Sequence, residues 1–388
     1  MDFTEDPVHK DIRLAVRAMC RDFPDEYWME HDTSHEFPWE FYDAVKAAGW
    51  LGLTIPEEYG GGGLGVTEAA IVEQEIAASG AGMGGCSAVH IGIFGFHPII
   101  EHGSAELKQR FLPAAASGDL HVSFAVTEPD AGTDTTNLST FARKVDGGYL
   151  VSGQKVWITK AQEAQRMLLL CRTEPRDPAG KRTAGMTLLF APMDRERIRI
   201  RPIPKMGRNA VDTNELFIDD LFVPDSDVVG EPGHGFRTIL GGLNAERVIS
   251  ANAAIGIGRA ALRRGTGYAK QRVVFGRPIG QNQGISFQLA EAQIRLDAAE
   301  AVVQKAAWMV DAGLPCGREA NAAKFLAAEA GFFAADVALS VHGGFGYGKE
   351  FHVERYFREA RLMRIAPISQ EMVLNYTAEH VLGLPRSY

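Results

Sequence analysis

Hydrophobic residues change their spacing twice along the chain, and the two changes divide it into three parts. Val8, Ile12, Ala15 and Met19 recur at the interval of one helix face. Ahead of them stands Asp6-Pro7, a capping acceptor followed by a proline whose missing N–H does no harm there. A second start at Glu36-Phe37-Pro38 predicts a helix over 39–48, and helical spacing resumes from Val66 to near Gly103 and again over 105–116. The stretch 51–65 contains Pro56 and the run Gly60 to Gly63, which predicts a loop.

From His121 the period falls to two. Val122, Phe124 and Val126 alternate, and further strands are predicted over 138–145, 149–158, 167–171, 186–191, 198–203 and 214–222, with a polar loop at 176–182. Short strands with no helices between them predict an antiparallel sheet or small barrel. Beyond Gly230-Glu231-Pro232-Gly233 the spacing is helical over 236–265, 287–312, 319–340 and 368–382. Paired alanines such as Ala322-Ala323 and Ala334-Ala335 allow close packing in a bundle. The expected fold is α+β: an N-terminal all-helical domain (1–120), a middle antiparallel β domain (121–232) and a C-terminal four-helix bundle (233–388).

Composition narrows the function without naming it. The net charge of −9 argues against a nucleic-acid partner, because phosphate backbones recruit cationic surfaces. Cys20, Cys86, Cys171 and Cys316 are widely separated, as reduced core residues would be, and His90, His97, His102 and His342 show no ligand spacing, so no metal is expected. The polar start MDFTEDPVHKD does not read as a signal peptide, and no apolar run is expected to reach the roughly 18 residues of a membrane span. A cytoplasmic protein is expected.

One residue is out of character. Glu246 lies in the first turns of the apolar stretch 241–261. A carboxylate there either pairs with Arg247 or faces water, or it is a base tuned by an apolar pocket. Other segments carry similar pairs of readings. Thr127 to Asp134 (TEPDAGTD) is a Pro/Gly/Asp turn or a backbone cradle for a polar ligand. Trp157 and Thr159 are core residues or, on one side of a strand, a platform for a planar ring. Arg272, Phe275 and Arg277 occupy a solvated loop or a phosphate site, and Gly343-Gly344-Phe345-Gly346 allows close backbone approach.

Four motifs in order, TEPDAGTD, GQKVWIT, RVVFG with Gln283 beyond it, and GGFGYGKEFHVERYFREAR, resemble those of the acyl-CoA dehydrogenase family over essentially the whole chain. The resemblance implies non-covalent FAD, a homotetramer or homodimer, α,β-desaturation of an acyl-CoA thioester, and an electron-transferring flavoprotein as acceptor. It places Thr127, Thr133, Trp157 and Thr159 near the flavin. Arg272, Phe275, Gln283, Gly343 and Gly344 would meet the FAD of a neighbouring subunit, and Ser369 would also contact cofactor. At Ser340 the family often has a glutamine facing the adenosine, so that contact is not expected.

Many members carry the catalytic glutamate where this chain has Pro367, which cannot take a proton. A subset that includes the isovaleryl-CoA dehydrogenases supplies the base from an earlier helix, in a Gly-Leu-Asp-x-Glu-Arg run. Gly242-Leu243-Asn244-Ala245-Glu246-Arg247 resembles that run, and Glu246 falls on its base. Glu246 is then expected to remove the pro-R α-hydrogen, with burial by the bound thioester and flavin raising its pKa. Arg247 would be structural, and Ile368 or another N–H would replace the thioester donor that proline lacks. Gly80, Ala81, Gly82, Gly84 and Gly85 are expected either to leave room for a long or branched acyl tail or to allow tight helix contact.

Overall fold

A computed structural model describes residues 4–177 and 179–387. Seven helices lead: α1 (Pro7–Cys20), α2 (Asp25–Ser34), α3 (Trp39–Ala47), α4 (Val66–Ile76), α5 (Gly82–Phe94), α6 (His97–His102) and α7 (Ala105–Ala116). Asp6 caps α1 by accepting from the Val8 N–H at 2.8 Å, as its sequence position suggests. The α2 helix went unrecognised because it has no strong apolar period; it buries Trp28 with Asp25 and Asp32. Between α4 and α5 the chain makes a π-helical turn (Ala77–Ala81) and breaks at Gly80, where φ is +121°.

This break explains the small residues. A Cβ on Gly80 would lie 2.6 Å from Asp25 Oδ1, and one on Gly82 would lie 2.2 Å from Glu359 Oε2. Gly80 and Gly82 therefore serve tight contact with neighbouring polar groups, and the expectation that they leave room for an acyl tail is not supported.

Eight strands follow: β1 (Val122–Ala125), β2 (Phe141–Val145), β3 (Gly148–Thr159), β4 (Arg166–Arg172), β5 (Met186–Pro192), β6 (Ile198–Pro202), β7 (Thr213–Pro224) and β8 (Val228–Val229). They form one sheet in the order β6-β7-β3-β2-β4-β5-β8, with β1 also on β4. Most pairs are antiparallel, but β1 and β2 both run parallel to β4, so the expected purely antiparallel sheet needs correction. The β4 strand is buried on both faces: Met167, Leu169 and Cys171 join one apolar cluster, Leu168 and Leu170 the other. That is why it reads as an unbroken apolar run. The polar loop at 176–182 lies between β4 and β5, with residue 178 outside the described residues.

The last part holds α8 (Gly235–Leu240), α9 (Leu243–Gln271), the short hairpin β9 (Val273–Val274) and β10 (Arg277–Pro278), α10 (Gln283–Asp311), α11 (Gly317–His342), α12 (Val353–Leu362) and α13 (Gln370–Tyr376). The single helix expected over 236–265 is two, divided at Gly241-Gly242, and α12 was not foreseen. The long helices pack at backbone distance. A Cβ on Gly256 of α9 would lie 2.4 Å from the Gln74 carbonyl of α4, and one on Gly331 of α11 equally close to the Ala254 carbonyl. Helices α1 to α5 and α9 to α12 thereby share one hydrophobic core.

Two helical stretches, Val66–His102 and Gly317–Tyr347, are long and apolar enough by composition to cross a membrane, contrary to expectation. The apolar windows are 67% and 56% buried inside the fold, as helices of a folded core are. All four cysteines are buried and unbridged.

Candidate active site

Glu246 stands in the first turn of α9, directly after the Gly241-Gly242 break. Glycine at 242 is sterically required: a Cβ there would come within 2.8 Å of the His97 ring, itself stacked on Phe94. Arg247 turns away and donates to Asn244 Oδ1 at 3.0 Å, so it is not the partner of Glu246. That partner is His90 of α5, whose Nε2 lies 2.9 Å from both carboxylate oxygens. The other ring nitrogen, Nδ1, lies 3.3 Å from Glu73 Oε1 of α4. Side-chain exposure is 26% for Glu246, 22% for His90 and 1% for Glu73, so the chain of three groups runs from a partly open end into the core.

In the open cleft two opposing effects act on Glu246. Burial by itself pushes the Glu246 carboxyl up, but the charge and hydrogen bond of His90, helped by Arg247, hold it below the usual carboxylate range. Burial pushes His90 down, and the two carboxylates outweigh it and raise the imidazole well above its ordinary value. Without substrate the structure therefore presents Glu246 ionised. His90 and Glu73 were missed in the sequence because the π-turn and the Gly80 break destroy the helical phase between positions 73 and 90.

The TEPDAGTD turn and the GQKVWIT strand are joined by buried charge. Lys155 Nζ reaches Glu128 Oε1 and the Val126 carbonyl, each at 2.9 Å. Glu128 also accepts from the Ser139 N–H at 2.6 Å and the Thr140 N–H at 3.0 Å. Burial opposes ionisation of Glu128, yet Lys155 and these donors hold its pKa down at about 2. The Thr127 carbonyl accepts from the Val156 N–H at 2.9 Å, completing the junction. Simple alternation fails at Trp157, where φ is +64° and β3 bulges between Lys155 and Ile158. The indole is 57% exposed, while Thr159 Oγ1 accepts from Arg208 at 3.2 Å.

Two clefts collect other expected residues. Arg272, Gly343 and Gly344 line one of about 550 Å³ with Tyr268, His342 and Phe345. The Arg272 guanidinium lies 5.6 Å from the Phe345 ring and pairs with no carboxylate among the described residues. A Cβ at Gly343 or Gly344 would meet nothing within 4 Å, so this backbone is open to a ligand. An unpaired guanidinium beside open glycine backbone fits a diphosphate-bearing group. Thr133 and Ser369 share a second cleft of about 530 Å³ with Met372 and Asn375. Phe275, 100% exposed at the tip of the β9–β10 hairpin, and the exposed Gln283 line neither cleft. Pro367 lies exposed in the bend before α13, and the next N–H, of Ile368, has no partner within the described residues.

Comparison with known proteins agrees across the chain. Family profiles for the acyl-CoA dehydrogenase N-terminal, middle and C-terminal domains match residues 6–119, 123–221 and 233–382. The chain is 38% identical over 388 residues to acyl-CoA dehydrogenase FadE12 of Mycobacterium tuberculosis, covering 100% of this chain and 99% of that one. It is similar to butyryl-CoA dehydrogenase of Megasphaera elsdenii at a TM-score of 0.93 and 29% identity, over 98% of this chain and 100% of that chain. A chain solved in work on the electron-transferring flavoprotein of Acidaminococcus fermentans superposes with a TM-score of 0.93 and 28% identity, over 98% and 100% of the two chains. With helices, sheet and helices in that order and matches to all three domains, the chain belongs to the acyl-CoA dehydrogenase family and is an FAD-dependent enzyme.

Proposed function

We propose that this enzyme desaturates the acyl group of a CoA thioester between Cα and Cβ, with Glu246 as the base. The observation that carries the reading is a carboxylate, open over a quarter of its side chain and paired with His90, at the start of a largely buried helix. No other carboxylate takes its place at position 367, which is proline. This base placement supports the subset that resembles isovaleryl-CoA dehydrogenase.

Bound FAD supplies a two-electron acceptor for the β-hydrogen, which leaves with its bonding pair. The chain's own part is the proton. Glu246 takes the α-hydrogen as a proton, and the C–H pair it leaves becomes the new C=C bond. As acyl chain and cofactor exclude water, the carboxylate becomes a stronger base than in the open cleft. The free Ile368 N–H is the candidate donor to the thioester oxygen, in place of the one Pro367 lacks. Thr127, Thr133, Trp157, Thr159 and Ser369 would hold the flavin side of this chain's cofactor, and Arg272, Gly343 and Gly344 the diphosphate of a neighbouring subunit's.

Phe275 and Gln283 complete such a site only on another chain. Exposed Phe287, Ile294 and Trp308, seven and fourteen positions apart along α10, supply an apolar stripe for that contact. A homotetramer, or a homodimer, with domains 1–120, 121–232 and 233–388 is the proposed assembly. An electron-transferring flavoprotein is the proposed acceptor, in cytoplasmic fatty-acid β-oxidation. Anaerobic titration with straight, branched and cyclic acyl-CoAs tests this: one chemotype should bleach the flavin, and slow reoxidation in air separates dehydrogenase from oxidase. No bleaching by any thioester would favour a catalytically silent flavoprotein.

A further inference from the structure

We propose that His90 is a positioning residue for the base: its ring, held between Glu73 and Glu246, keeps the Glu246 carboxylate charged and both its oxygens oriented. This rests on Glu246 being the base. The geometry is specific. Nε2 lies 2.9 Å from each Glu246 oxygen, and Nδ1 lies 3.3 Å from Glu73 Oε1. Glu73 Oε1 is buried and accepts no hydrogen bond among the described residues, and the His90 ring approaches it at ion-pair distance. A carboxylate that deep keeps its charge only beside a cation. One imidazole can serve two carboxylates only with both ring nitrogens protonated.

Glu73 then has a function that packing alone would not give it. Before reaction the three groups carry two negative charges and one positive. Once Glu246 has taken the α-proton, one of each remains. Glu73 is the counter-charge that lets His90 stay protonated beside a neutral Glu246, so the proton delivered to Glu246 does not leave an uncompensated imidazolium in the core. Other charged groups that reach α5 bond elsewhere: Lys160 to the Ala88 carbonyl, Arg208 to Ser87, and Glu359 to the Met83 N–H. Arg247, beside Glu246 on α9, is held by Asn244, and His97 stacks on Phe94.

The test is the pH profile of anaerobic flavin reduction by a bleaching acyl-CoA, in the holoenzyme and in His90→Gln, Glu73→Gln and Glu246→Gln. His90→Gln should move the acidic limb up by at least one pH unit, a loss that approaches about tenfold on the acid side of that limb and is regained as pH rises. Glu73→Gln should bring the loss of the imidazolium into range, so that ¹⁵N shifts of the variant show a neutral His90 at pH 8 where the wild type keeps both nitrogens protonated. ¹⁵N shifts of the wild-type holoenzyme should show both His90 nitrogens protonated at pH 8, which does not depend on any variant folding. Superimposed profiles, a pH-independent loss, or a neutral His90 at pH 8 would overturn the proposal. Reduction surviving in Glu246→Gln would instead refute the base assignment beneath it.

Discussion

Replacing Glu128 by Gln isolates the buried pair that joins the two segments expected to contact flavin. The change keeps size and an acceptor for the Ser139 N–H, but removes the only carboxylate bonded to Lys155 among the described residues, and the Lys155 side chain is fully buried. Removing one partner of such a pair costs about 3–5 kcal/mol, because the other charge stays buried. The shift of Glu128 from 4.5 to about 2 gives a second figure. At 1.36 kcal/mol per pH unit it corresponds to about 3 kcal/mol. The two agree. The sign follows from a depressed carboxylate: the stabilisation is complete above about pH 4.5 and disappears as pH falls toward 2. Denaturant unfolding should therefore show Glu128→Gln weaker by about 3 kcal/mol at pH 7, with the gap from wild type closing below pH 4. The Glu128→Gln/Lys155→Met pair should cost less than the sum of the two single changes. FAD should also dissociate faster, since Thr127 and Trp157 lose their common anchor. A loss under about 1 kcal/mol at pH 7, or a gap unchanged by acid, would refute the reasoning.

Further outcomes follow from the same structure. Gly256→Ala would force a Cβ to within 2.4 Å of the Gln74 carbonyl, and should lower stability by about 1–3 kcal/mol in thermal or denaturant unfolding. Arg272→Gln should weaken FAD retention on dilution or gel filtration by about tenfold while leaving the circular-dichroism spectrum unchanged, as loss of one charge-assisted phosphate contact would.

Much of the architecture was legible because it rests on local chemistry. The Asp6 cap, the glycine run at 60–63 and the change of period at His121 each produce structure where they stand. The parallel pairing of β1 and β2 with β4 was not legible, since a strand buried on both faces carries no alternation to orient it. Glu246 stood out as a lone carboxylate in an apolar helix, but its partner did not. His90 and Glu73 reach it from α5 and α4 only because the chain breaks at Gly80. The upward pull of burial on Glu246 is present but outweighed in the open cleft: burial was visible in the sequence, and the imidazole was not. Phe275 and Gln283 are exposed and line neither cleft, and it was the family resemblance, not their spacing, that marked them for a neighbouring subunit.

The most direct measurement is single-turnover anaerobic reduction of the bound flavin by the acyl-CoA that bleaches the wild-type enzyme, repeated with Glu246→Gln. The account predicts a variant that holds FAD with an unchanged oxidised spectrum and binds the thioester, yet loses reduction by at least about a thousandfold, as expected when the general base of a C–H abstraction is removed. Reduction of Glu246→Gln at close to the wild-type rate would contradict it and return the search for the base to the rest of the cleft.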